Sequence, residues 1–174
     1  MVKINKLTRI RDQLAKKIHL LQGDFIVPKN AYEGKICEIM GWELFDSRYF
    51  DAYSTRSDTF LELKKGQGSM HFDMIRYSEL VLGFGKENTV TVFLKWNKKR
   101  SIVSEAFVID TNRIIEFLKI DKKLAKRCLQ IHRQAVRGVN MLAAATVNDL
   151  RGMASFIVKN LEKPRKTFIK LNIQ

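Results

Sequence analysis

Apolar residues at Ile4, Leu7, Leu14, Ile18 and Leu21 recur at helical spacing and are followed by Gly23, so residues 4–22 read as an amphipathic helix. Pro28 falls in the turn after it. Asn30 then precedes Glu33 by three, the arrangement of a capping box, and opens a second predicted helix that runs to about Met40 and stops at Gly41. From Trp42 to Lys65 the period changes to two. WELF, RYFDAYS and TFLELKK alternate like strands around a polar break at Thr55 to Asp58, which predicts a hairpin or meander. Gly66, Gln67 and Gly68 end the last of these strands, and Met70, Met74, Tyr77 and Val81 predict a helix closing at Gly83 and Gly85. TVTVFLKW (89–96) and IVSEAFVI (102–109) predict two more strands, joined by the basic turn Asn97, Lys98, Lys99, Arg100.

Beyond these strands, Asp110 or Thr111 is placed to cap a short helix carrying Ile114, Ile115 and Leu118. Two further helices are expected at about 121–137 and 143–162, ending before Pro164, and the alternating tail TFIKLNI suits an added edge strand. No repeat, low-complexity run or Pro/Gly/Ser linker divides the chain, so a single α/β domain over 1–174 is expected.

Composition narrows the class. With 45% apolar and 29% charged residues and only two prolines in 174 residues, there is a core to bury. No apolar run approaches the roughly 20 residues of a membrane span, and Met1 to Arg11 is charged without an apolar signal core, so a cytoplasmic protein is expected. Cys37 and Cys128 are far apart, with no CxxC or Cys/His cluster, which argues against a zinc site or a disulfide scaffold and for two buried thiols. The 32 Lys and Arg against 18 Asp and Glu give a formal charge of +14. Phosphate polyanions reward such a surface by releasing counterions, whereas a membrane partner would favour basic residues gathered beside an apolar anchor. Charge that merely maintains solubility is the plain alternative.

The chemistry concentrates at Glu62-Leu63-Lys64. In a strand, residues two apart share a face, so the Glu62 carboxylate and Lys64 ammonium stand side by side while Leu61 and Leu63 point to the core. Asp51 lies in the preceding strand, with Tyr49 and Tyr53 on its face, and strand pairing brings it toward Glu62. Two carboxylates suit Mg²⁺, which neutralises a scissile phosphate and acidifies a water; a lysine can orient that water and stabilise the transition state. An acid-x-Lys triplet alone has little specificity: it also occurs at Glu33-Gly34-Lys35 and Asp121-Lys122-Lys123, both assigned to helix starts. Only Glu62 to Lys64 sits in a strand about ten residues after another strand-borne acid. The competing interpretation is an exposed Glu–Lys pair on an ordinary hairpin.

The succession of a helix with Glu, a GW turn, RYFDAYSTRSDTFLELKKGQ, a helix, TVTVFLKW and SEAFVIDTNRIIEFL resembles the PD-(D/E)xK nuclease superfamily, especially its short type II restriction endonucleases and archaeal Holliday-junction resolvases. The resemblance covers roughly residues 30–118. It implies an α/β restriction-endonuclease-like core at about 30–118, a mixed central sheet flanked by helices, and extra helices at about 119–174. It also implies Asp51 and Glu62 as metal ligands, the Leu63 carbonyl as a further ligand, and Lys64 as the catalytic lysine. Phe50 stands where the family name has proline, and Asp46 and Asp58 compete for the aspartate role; Asp51 is preferred because Asp58 falls in the turn and Asp46 in the strand before. Many members carry a helix glutamate facing the metal. Glu33 and Glu38 are available, and Glu33, about two turns before Gly41-Trp42, is favoured, with capping as its alternative.

DNA contacts are expected from Lys65, Gln67 and the turn Lys98, Lys99, Arg100, chiefly to phosphates. Gln130, His132, Arg133, Gln134, Arg137 and Asn140 are residue types that read base edges, although an exposed helix face has the same composition. His19 and His71 have no neighbouring ligands or nucleophile and read as ordinary positions. The function expected is a Mg²⁺-dependent type II restriction endonuclease, with Mn²⁺ as substitute metal and no organic cofactor, cutting double-stranded DNA as a homodimer. Its rivals are a Holliday-junction resolvase, a non-catalytic basic DNA-binding protein, and an RNA-associated factor, for which no RNP-type aromatic motif is present.

Overall fold

The computed structural model describes residues 2–22, 29–45, 47–85, 89–97, 102–135 and 141–161. In chain order these form α1 (Ile4–Lys17), a 3₁₀ turn (Ile18–Leu20), α2 (Lys29–Met40), β1 (Glu43–Leu44), β2 (Ala52–Ser54), β3 (Thr59–Gly66), β4 (Ser69–Asp73) and α3 (Met74–Val81). There follow β5 (Thr89–Trp96), β6 (Val103–Asp110), α4 (Thr111–Phe117), α5 (Lys122–Gln134), β7 (Leu142–Thr146), α6 (Val147–Met153) and β8 (Phe156–Lys159). The architecture is mixed α/β. A six-stranded sheet of order β1-β2-β3-β5-β6-β8 is antiparallel except where β3 and β5 run parallel, and helices flank it.

Strand alternation assigns the two faces. In β5, Val90, Val92, Leu94 and Trp96 join Leu61 and Leu63 of β3 in a core completed by Leu7, Ile10 and Leu14 of α1 and Ile36, Cys37 and Met40 of α2. Phe93 points the other way, into a second cluster with Phe107, Ile109, Met70, Phe72, Tyr77, Ile114 and Leu150. The 3.6 period of α1 buries Leu7, Ile10 and Leu14 as one stripe, while Gly41, at φ 71, ends α2 in a conformation that side chains rarely adopt. α2 starts at Lys29 and so already contains Asn30 in its first turn.

Two expectations are corrected. Met70 belongs to β4, not to the helix that starts at Met74: Met70 and Phe72 are buried while Ser69, His71 and Asp73 are exposed, a period of two. Asp73 accepts from the Ile75 amide and so caps α3. The segment expected as one helix at 143–162 is instead β7, α6 and β8. Ala143 to Ala145 have high helix propensity, but β7 pairs antiparallel with β4, Met70 opposite Ala145 and Phe72 opposite Ala143, and that ladder outweighs propensity. Helix α6 begins only at the Thr146–Asp149 capping box. Strand β8 pairs with β6, so the C-terminal region is not purely helical and the central sheet extends past residue 118. The expected edge strand in TFIKLNI lies outside the described residues. Among those described, no helix is long and apolar enough to cross a membrane.

Candidate active site

Strands β2 and β3 pair with Ala52 opposite Leu61 and Tyr53 opposite Phe60, and the pairing stops one residue short of Asp51, which lies in the bend before β2 and not in the strand expected to carry it. The ladder changes character there. The Asp51 amide donates to the Leu61 carbonyl at 2.8 Å, while the Leu63 amide donates to Asp51 Oδ2 at 2.7 Å. The chain turns away before Asp51, and its carboxylate takes the place of the missing strand. Asp51 is thereby fixed to the backbone of the Glu62-Leu63-Lys64 triplet. In a strand the N–H and C=O of one residue point to the same side, so the Leu63 carbonyl also faces the space that β2 has left, while its side chain is buried in the core.

Glu62 is only 4% exposed and Asp51 7%. Burial pushes the Glu62 carboxyl above its ordinary value; Arg76 and Lys64 oppose the shift, and Asp51 adds to it. Lys64 Nζ pairs with Glu62 Oε1, and Arg76 Nη1 reaches the same oxygen at 3.0 Å. Arg76 Nη2 donates to the Tyr49 carbonyl. Sequence reasoning missed Arg76, since a cation on an amphipathic helix ordinarily points to water. The signal present was its place between Ile75 and Tyr77, both buried, on the helix that follows the Glu62 strand.

Glu33 is buried on α2. Its charge, with that of Asp51, acts on Cys37, whose thiol is pushed up to about 11 chiefly by burial. Lys65 faces α2, its Nζ 4.1 Å from the centroid of the Tyr32 ring, and burial lowers its pKa against the opposing charge of Glu33. Gln67 is exposed and donates to the Asn97 carbonyl at 3.3 Å. Arg133 is exposed on α5, where it lines an open groove of about 470 Å³ with Leu82, Phe84, Lys126 and Gln130. Asp58, the rival for the aspartate role, is exposed in the turn and pairs with Lys6 at 2.7 Å. Lys98, Lys99, Arg100, Arg137, Asn140 and Asp46 lie outside the described residues.

Among the described residues, no three His, Cys, Asp or Glu side chains cluster closely enough to hold a metal by themselves. Asp51, Glu62 and the Leu63 carbonyl nevertheless form a set of hard oxygen donors. That chemistry suits Mg²⁺, which takes few protein ligands and retains water. No protein-family model matches this chain, and no curated protein sequence does.

Proposed function

We propose that this protein is a Mg²⁺-dependent endonuclease of the PD-(D/E)xK class that hydrolyses DNA phosphodiester bonds, in the manner of a type II restriction endonuclease. One observation carries this reading: Asp51, in the bend just before β2, is hydrogen-bonded to the amide of Leu63, between Glu62 and Lys64, which ties the first acid to the triplet on β3. The helix, three-strand meander and parallel β5 reached through α3 support it, as the same order underlies the resemblance.

Asp51, Glu62 and the Leu63 carbonyl would hold the metal. When bound, Mg²⁺ supplies charge neutralisation at the scissile phosphate and a water of lowered pKa. Lys64, half-buried with its ammonium on Glu62, would orient the attacking water and donate to phosphate oxygens. The exposed cations of α5, Lys122, Lys123, Lys126, Arg127 and Arg133, give duplex DNA a phosphate-binding surface, in keeping with the net charge of +14. A symmetric recognition site would be met by a homodimer, and a cytoplasmic location would suit a DNA substrate.

The test is cleavage of plasmid DNA with Mg²⁺ or Mn²⁺, set beside the chelated protein. Glu62→Gln and Lys64→Ala are expected to lose cleavage by roughly several orders of magnitude while retaining DNA binding. A wild-type protein that cleaves nothing with either metal, or a Glu62→Gln variant as active as wild type, overturns the proposal. A basic protein that only binds DNA would be indifferent to both substitutions. Competition between linear duplex and a four-way junction separates the restriction enzyme from the resolvase.

A further inference from the structure

Arg76 occupies the third position of α3, a helix held by the Asp73 cap and by Tyr77, whose ring packs edge-on against Phe72 at 5.6 Å. Its side chain does not reach water: the residue is 5% exposed. Taking a guanidinium out of solvent is costly, and the cost is met only where its hydrogen bonds are well formed. Here the two ends of the fork serve different elements. Nη1 binds the Glu62 carboxylate on β3, and Nη2 binds the carbonyl of Tyr49, two residues before Asp51. Nε, also buried, has no hydrogen-bond partner among the described residues.

The loop that Arg76 grips is tied to α3 a second time. Arg48 Nε meets Glu79 Oε2 at 2.8 Å, one helical turn beyond Arg76. Gly85, at φ 64, lies so close to Tyr49 that a Cβ there would fall 2.7 Å from the ring. The backbone leading into Asp51 therefore takes its position from α3 as well as from β3.

We propose that Arg76 is the positioning residue of the site: its planar fork sets the distance and angle between the Glu62 carboxylate and the loop that delivers Asp51. The proposal rests on the nuclease reading for its consequence, because both carboxylates must be in register to hold one metal ion. Lysine is a point charge with no planar fork, so it can keep one of these contacts in good geometry but not both.

Hydrogen exchange on the metal-free protein tests the geometry directly. In Arg76→Met, the amides of residues 49–52 and of Leu63 are expected to exchange about tenfold faster, while those of Val92 and Phe107, in the centre of the sheet, keep their wild-type rates. A role confined to general stability would speed all of them together. Cleavage at saturating Mg²⁺ is expected to fall roughly 100-fold, as for misplacement by about 1 Å, with metal-free DNA binding unchanged and partial recovery in Arg76→Lys. If Arg76→Met does not fold, Arg76→Lys and the double variant Arg76→Met/Glu62→Gln, which removes the stranded carboxylate, serve for the exchange measurement. Wild-type exchange at 49–52 and Leu63 in a folded variant, or wild-type cleavage by Arg76→Met, overturns the proposal. If the wild-type protein cleaves no DNA, the nuclease reading falls, and the exchange rates still decide whether Arg76 sets this geometry.

Discussion

Asp51 offers a substitution in which stability and catalysis separate. Its Oδ2 accepts the buried Leu63 amide at 2.7 Å. A hydrogen bond to a charged acceptor contributes about 1.5–3 kcal/mol, and one to a neutral acceptor about 0.5–1.5 kcal/mol. Asparagine can present its carbonyl oxygen to the same amide, so Asp51→Asn forfeits roughly 1–1.5 kcal/mol of that bond. Against this loss, removing the charge relieves the repulsion that helps push up the Glu62 carboxyl. The net change for Asn is expected to stay within about 1 kcal/mol of wild type. Asp51→Ala has no acceptor and strands a buried N–H, which costs about 1–3 kcal/mol.

For a chain of 174 residues, each kcal/mol moves the melting temperature by about 2–4 °C. Ala should therefore melt roughly 2–12 °C below wild type and Asn within about 4 °C of it. Both should lose plasmid cleavage by about three orders of magnitude or more, since neither supplies a second carboxylate to the metal. Thermal unfolding followed by circular dichroism and a Mg²⁺ cleavage assay on the same preparations provide the comparison. Wild-type cleavage by Asp51→Asn would remove Asp51 from the ligand set. Wild-type stability of Asp51→Ala would show that the Leu63 amide does not depend on it.

Gly66→Ala should destabilise by about 1–3 kcal/mol in urea unfolding, because its Cβ would sit 2.8 Å from the Ser69 carbonyl and 2.9 Å from the Phe93 ring. Gly68→Ala, which meets nothing within 4 Å, should stay within about 0.5 kcal/mol, and equal effects at the two sites would contradict the packing described. Cys37, its thiol buried and pushed up to about 11, should resist iodoacetamide at pH 8 until the protein is unfolded; rapid labelling of the folded protein, mapped by peptide mass, would refute this. Glu62 in the metal-free protein titrates above its ordinary 4.5, so the folded state holds a proton that the unfolded chain has already released. Its contribution to stability consequently falls as pH rises upward from 4.5, and urea unfolding of Glu62→Gln should lack that part of the slope. An identical pH slope in variant and wild type would count against the shift.

Much of the local structure was legible because it depends on neighbours in sequence. The stripe Leu7 and Leu14, the Gly41 stop, the alternation of TFLELKK and TVTVFLKW, and the Asp110 cap are short-range patterns, and each has its element in the structure, although the first helix ends at Lys17 and gives way to a 3₁₀ turn at Ile18. The same alternation sets Glu62 and Lys64 on one face, away from Leu61 and Leu63. Where the local signal was ambiguous it misled. Ala143 to Ala145 favour a helix in isolation, and only the distant partner β4 makes them a strand. Met70 fits a helical stripe with Met74 and Tyr77, yet its burial beside Ala145 is decided by that same pairing.

By itself, then, the sequence determined the alternation that segregates Glu62 and Lys64 from the core, the basic surplus, and a candidate acid upstream of them, although the strand expected to carry that acid begins only after it, at Ala52. Tertiary structure alone decided that Asp51, just before its strand, binds the Leu63 amide and that Arg76 completes the cluster from α3. It also decided that β8 closes the sheet beside β6. The physical reason is range: a side chain's face follows from the period of its own strand, whereas a buried cation shows its partner only after helix and strand have packed together.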